Sequence, residues 1–187
     1  AIGSDGNPVI AYWGGGGSTG LKFAVCSNPT CTASTVTTLD SGGGADTSVA
    51  IGADNNPIIA HSVTSTGRGG TLTVTTCADT SCTSTTEASQ ETTIWGGYVA
   101  FPVARLTEMA VGSNGLPVIV FNQGGSPSTI SVAECAVADC SSGTEIRDIA
   151  ASHGYGAVSL AIRDSDQARL ISYYAASNVY VAVLEAP

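Results

Sequence analysis

The sequence predicts an all-β fold, one domain built from repeated four-stranded antiparallel sheets. Three observations predict it: few helix formers beside abundant Val, Ile and Thr, a hairpin motif that recurs four times, and three Cys pairs at one spacing inside that repeat. Lys, Glu, Gln, Arg and Met, whose straight chains lose little freedom in a helix, are scarce. β-Branched side chains suit a pleated surface instead. Hydrophobic residues make up 43% of the chain, enough to bury a core, which disordered chains lack. At 187 residues one domain is expected.

The repeat carries most of the information. Ile2-Gly3-Ser4-Asp5-Gly6-Asn7-Pro8-Val9-Ile10-Ala11-Tyr12 aligns with Ile51-Gly52-Ala53-Asp54-Asn55-Asn56-Pro57-Ile58-Ile59-Ala60-His61 and with Val111-Gly112-Ser113-Asn114-Gly115-Leu116-Pro117-Val118-Ile119-Val120-Phe121. A fourth copy, Ile162 to Tyr173, is degenerate and one residue longer. Each reads as a strand, a tight turn and a second strand. Asp-Gly, Asn-Asn and Asn-Gly supply the positive φ of the turn, and Pro opens the next strand where no ladder donor is lost. The second strand ends in an aromatic slot that holds Tyr12, His61, Phe121 and Tyr173.

A third strand follows with period-two alternation, placing Leu21/Phe23/Val25, Leu72/Val74/Thr76, Ile130/Val132/Glu134 and Val179/Val181/Val183 on one face. In the first three copies a Cys pair and a Thr-rich fourth strand come next, over Thr35 to Leu39, Ser84 to Ala88 and Thr144 to Ile149. Repeats of about 50 residues with four short strands have the dimensions of propeller blades. Such a sheet cannot bury both faces alone, so copies must stack. The expectation is a β-propeller of about four blades over residues 1–187, with repeats near 1–47, 48–107, 108–157 and 158–187 and the last blade incomplete. A β-sandwich or a β-solenoid is the alternative.

The run Ile-Gly-Ser-Asp-Gly-x-Pro-Val-Ile-x-Tyr, followed by Leu-Lys-x-Ala-x-Cys, resembles repeats of bacterial secreted and surface propeller proteins. More distantly it is similar to the Asp-box hairpins of sialidase-like propellers, with Pro8, Pro57 and Pro117 where those carry an aromatic. The resemblance implies the fold. Its motif consists of turn and core residues, so it implies no activity.

Cys26 and Cys31, Cys77 and Cys82, and Cys135 and Cys140 occupy the same place in three repeats, between the third and fourth strands. Six Cys allow fifteen pairings, but the repeat position favours three local disulfides. A four-Cys zinc site would need pairs from different blades to meet. Disulfides persist outside the reducing cytosol, so a secreted or cell-surface protein is expected.

Function classes are narrowed mainly by charge. With six basic residues against fifteen acidic ones and a net charge of −9, no basic surface for nucleic acid or anionic membrane can be assembled. No run approaches a membrane span. His61 and His153 lack a recognisable catalytic neighbourhood, Gly-x-Ser-x-Gly is absent, and Arg68, Arg105, Arg147, Arg163 and Arg169 occupy unlike repeat positions. Asp5 and Asp54 fit turn bonding rather than a metal loop. No catalytic residue, metal or cofactor is therefore assigned.

Aromatics in connecting segments, Trp13, Trp95, Tyr98, Phe101 and Tyr155, suit stacking on sugars or docking on protein. Trp95 and Phe101 would equally serve to plug the end of a blade axis. The fourth repeat stops after its third strand, leaving Val179, Tyr180, Val181, Ala182 and Val183 as an edge without Lys or Pro, open to strand addition. The expected function is a non-catalytic extracellular structural or adhesive module that self-associates, needs no cofactor and is capable of propagating as a filament. The alternatives are a glycan-binding, lectin-like propeller and a sialidase-like glycoside hydrolase.

Overall fold

A computed structural model of the chain describes residues 1–14, 20–41, 43–64, 70–94, 107–123, 128–152, 157–175 and 177–186. They form fourteen strands in antiparallel sheets. Unit one holds β1 (Val9–Trp13), β2 (Leu21–Cys26) and β3 (Ser34–Asp40). Unit two holds β4 (Gly43–Ile51), β5 (Pro57–Thr64), β6 (Gly70–Cys77) and β7 (Thr85–Ile94). Unit three holds β8 (Thr107–Val111), β9 (Pro117–Gln123), β10 (Ser128–Glu134) and β11 (Glu145–Ser152). Unit four holds β12 (Val158–Ile162), β13 (Arg169–Ala175) and β14 (Asn178–Leu184).

Within each unit the strands pair in chain order, as a meander. Units two and three differ from the expected separate blades: one bridge, Ile94 to Gln123, joins β7 to β9 and makes a single eight-stranded sheet of the two. Where units two to four have a first strand, unit one has only an isolated bridge between Ile2 and Pro8. Neighbouring units also meet through first strands, β4 lying beside β8 and β8 beside β12.

The turn chemistry follows the repeat. Gly6, Asn55 and Gly115 take positive φ, as does Gln167 in the longer fourth copy. Two residues before each main-chain amide it binds stands a side-chain acceptor: Asp5 for Asn7, Asp54 for Asn56, Asn114 for Leu116 and Asp166 for Ala168, at 2.9 to 3.1 Å. This bond also explains the preceding glycine. A Cβ on Gly52 would meet Asp54 Oδ1 at 2.8 Å and Ile58 Cδ1 at 3.2 Å. In unit four that position is Arg163, and the extra residue moves the carboxylate to Asp166, which Arg163 grips through its Nε at 2.8 Å.

All three Cys pairs are disulfides, Cys26–Cys31, Cys77–Cys82 and Cys135–Cys140. The second Cys of each has positive φ, which closes the loop back on the end of the third strand.

Three apolar layers lie between consecutive units. Val9, Leu21 and Phe23 of unit one meet Ile59, Cys77 and Cys82 of unit two. Ile58, Leu72 and Val74 of unit two meet Met109, Ile119, Phe121, Cys135 and Cys140 of unit three. Val118, Val120, Ile130 and Val132 of unit three meet Val158, Leu160 and Ile171 of unit four. Each unit thus has a leading face, toward the preceding unit, and a trailing face, toward the following one. Adjacent residues of one strand serve opposite faces, as Ile58 and Ile59 do, because strand side chains alternate. Among the described residues no apolar cluster joins unit four to unit one.

Candidate functional site: the outer faces of the stack

The expected self-association segment lies on β14, the outermost strand of its sheet. Among the described residues no strand pairs with its outer side. The structure divides the segment by parity. Val179, Val181 and Val183 are 74%, 68% and 55% exposed on the trailing face. Ala182 and Leu184 turn the other way and pack against the apolar layer between units three and four. Tyr180 shares that side and stacks on Tyr173, ring centroids 5.5 Å apart. The apolar exposure of β14 therefore belongs to a sheet face as well as to a strand edge.

The opposite end of the stack is its counterpart. Ile10 (45% exposed) and Tyr12 occupy the leading-face positions that Ile59 and His61, or Ile119 and Phe121, occupy in buried layers. Trp13 follows, half exposed. Trp95, Tyr98, Phe101 and Tyr155 lie outside the described residues, as do His153, Arg68 and Arg105. Of the candidate binding aromatics, Trp13 alone falls among the described residues.

A charged cleft that sequence reasoning did not assign lies between units three and four. It has a volume of about 170 Å³ and is bordered by Asn114, Glu134, Gln167 and Arg169. Arg169, 5% exposed, places Nη2 2.8 Å from Glu134 Oε1 and donates from Nη1 to the Gln167 carbonyl at 3.1 Å. The other carboxylate oxygen accepts from the more exposed Arg147 at 2.9 Å. Ser113 N donates to Gln167 Oε1 at 2.8 Å across the same boundary. A signal was present in the repeat. Glu134 stands where Val25, Thr76 and Val183 stand in the other copies, and Arg169 stands where Pro8, Pro57 and Pro117 do. The two departures face each other across one boundary. The ion pair ties two units together, although Arg169 Nε and Glu134 Oε1 are buried there without a hydrogen-bond partner among the described residues.

His61 completes the inventory of reactive side chains. It is fully buried, with Nε2 2.9 Å from the Thr75 hydroxyl, and Asp40 acts on it electrostatically. Hydroxyl, imidazole and carboxylate have the composition of a nucleophilic triad, but Thr75 is itself fully buried and no substrate reaches its oxygen. Burial holds the imidazole neutral and pushes its pKa down to about 4, against smaller opposing effects of Asp40 and the Ser62 backbone.

The pH consequence has a definite sign. Between about pH 6.5 and 4 the unfolded chain binds a proton at residue 61 that the folded chain refuses, so stability falls as pH falls through that window. Asp46, whose carboxyl burial pushes up to about 6, works in the opposite direction over much of the same range. Comparing wild type with His61→Phe cancels the Asp46 effect. Relative to wild type, the variant is expected to gain roughly 2 kcal/mol between pH 7.5 and 5. Urea unfolding at the two pH values measures it; equal differences at both would mean that residue 61 does not titrate in this way.

Among the described residues no three His, Cys, Asp or Glu side chains gather as metal ligands would. No helix there is long and apolar enough to cross a membrane. No protein-family model matches the chain, and no curated protein does.

Proposed function

We propose that this chain is a non-catalytic extracellular structural module of the propeller type, its units acting as blades, and that it associates with further copies of itself. The observation that carries this reading is the exposed valine row of β14, on a strand whose outer side is unpaired among the described residues. Neither Lys nor Pro interrupts Asn178–Leu184, so the usual devices that keep an edge from pairing are missing. The three disulfides belong to an oxidising environment, which agrees with an extracellular location.

Sedimentation of the 187-residue chain over a concentration series is the test. Wild type is expected to associate, and Val181→Lys, which sets a charge in the exposed row, is expected to remain folded and associate more weakly. A wild type that stays monomeric at every concentration would end the self-assembly reading. Electron microscopy of associated material then distinguishes closed particles from filaments.

A further inference from the structure

We infer that self-association proceeds by face-to-face stacking, the trailing face of unit four docking on the leading face of unit one in a second copy of the chain. This rests on the self-assembly reading above and names its contact.

Continuity with the layers inside the molecule supports the inference. Within the chain, one kind of contact is made three times. A trailing face built from the second and third strands packs on the next unit's leading face. In two of the three layers that leading face includes the disulfide, Cys77–Cys82 or Cys135–Cys140. Leu21 and Phe23, Leu72 and Val74, and Ile130 and Val132 are fully buried in those layers. Val179, Val181 and Val183 hold the corresponding register positions in unit four and are exposed. Tyr174, paired with Val179 on β13, extends the same exposed face.

The complementary surface is equally complete. On unit one, Ile10 pairs with Ala24 and Tyr12 with Lys22, and the Cys26–Cys31 disulfide follows at the end of β2. This is the arrangement of Ile59 with Thr75, His61 with Thr73, and the disulfide at Cys77, already buried under unit one. Among the described residues, one trailing face and one leading face are therefore without a partner, and they are of the kinds that the units join. Lys22 is the only charged side chain on these two sets of strand positions, so docking does not bury like charges against each other.

The contact is heterologous, with different surfaces on the two partners. It closes when the rotation between copies permits and otherwise continues as an open array. Two chains of four units each would supply eight blades, within the range of known propeller sizes. A head-to-tail pair is thus the smallest closed assembly expected.

Complementation separates this mode from edge pairing. Val181→Lys damages only the trailing face and Ile10→Lys only the leading face. Each variant alone is expected to bind itself roughly a hundredfold more weakly than wild type, because an unpaired ammonium would be buried at every contact. Mixed in equal amounts, the two are expected to form a 1:1 complex, since the intact leading face of one meets the intact trailing face of the other. Labelled chains in sedimentation read this directly, and circular dichroism checks that each variant is folded. If Ile10→Lys associates like wild type, or the mixture gains nothing over either variant, face stacking is wrong and edge pairing remains. If wild type does not associate at all, the self-assembly reading itself fails, including any case in which other protein covers these faces.

Discussion

Glu134→Gln is expected to lower the unfolding free energy by about 3 kcal/mol, the largest effect of any single polar substitution proposed for this protein. Arg169 is 5% exposed and has Glu134 as its counter-charge, so neutralising the carboxylate leaves a guanidinium buried without compensation. The cost comes from desolvation, and screening by salt should relieve little of it. Arg147→Gln is the control. Arg147 holds the other oxygen of the same carboxylate, but its side chain is 42% exposed, and its loss should cost no more than about 1 kcal/mol. Replacing both members, Glu134→Leu with Arg169→Met, should recover most of the loss, because a buried ion pair contributes little beyond an apolar pair of similar size. Urea unfolding of the four proteins measures the set. An E134Q variant within about 0.5 kcal/mol of wild type would show that the Arg169 side chain relaxes to solvent, in place of the buried contact.

Removing Cys135 and Cys140 together, both to Ala, is expected to cost about 4 kcal/mol. Closing so short a loop constrains the unfolded chain by roughly 2 kcal/mol. The remainder comes from packing, since both sulfurs lie in the apolar layer between units two and three, 5% and 2% exposed. The same double replacement at Cys26 and Cys31 should cost less, about 3 kcal/mol, because only one of the two cysteines is buried. Cys26 is 1% exposed, but Cys31 is half-buried, and neither joins an apolar layer between the described units. Cys77 and Cys82, buried against unit one, should resemble the Cys135 pair. Thermal unfolding of the three double variants ranks them. Equal losses at all three sites would assign the whole effect to loop entropy and none to the layers.

Much of the fold was legible because the devices that make it are local. A turn that needs positive φ at Gly6, Asn55 and Gly115, with an acceptor such as Asp54 bonding the amide two residues on, is specified within a handful of residues. The same holds for disulfides closing loops of identical length, and for the period-two rows of β2, β6, β10 and β14. The strand following each Cys pair was also located, although β7 and β11 run several residues beyond their expected ends, to Ile94 and Ser152. Such ends are decided by pairing with a neighbour, and turn residues do not mark them.

The candidate site was less legible. The sequence marked the segment Val179 to Val183 as an edge, and strand alternation put its valines on one face. Whether that face is covered depends on contacts between residues far apart in the chain, as when Ile130 and Val132 are buried by unit four. Leu72 and Val181 look alike as residues in a strand; only the stack makes one fully buried and the other 68% exposed. The closed ring expected from the repeat depends in the same way on the rotation between neighbouring units, which small differences in packing set. Glu134 and Arg169 appeared as two unrelated departures from a repeat until stacking brought them within 2.8 Å. By itself, then, the sequence determined the strands, turns and staples, where each interaction spans a few bonds of chain. The tertiary structure alone decided which faces are buried, which charges meet and which surfaces are left for a partner, because burial is a property of neighbours brought together from distant parts of the chain.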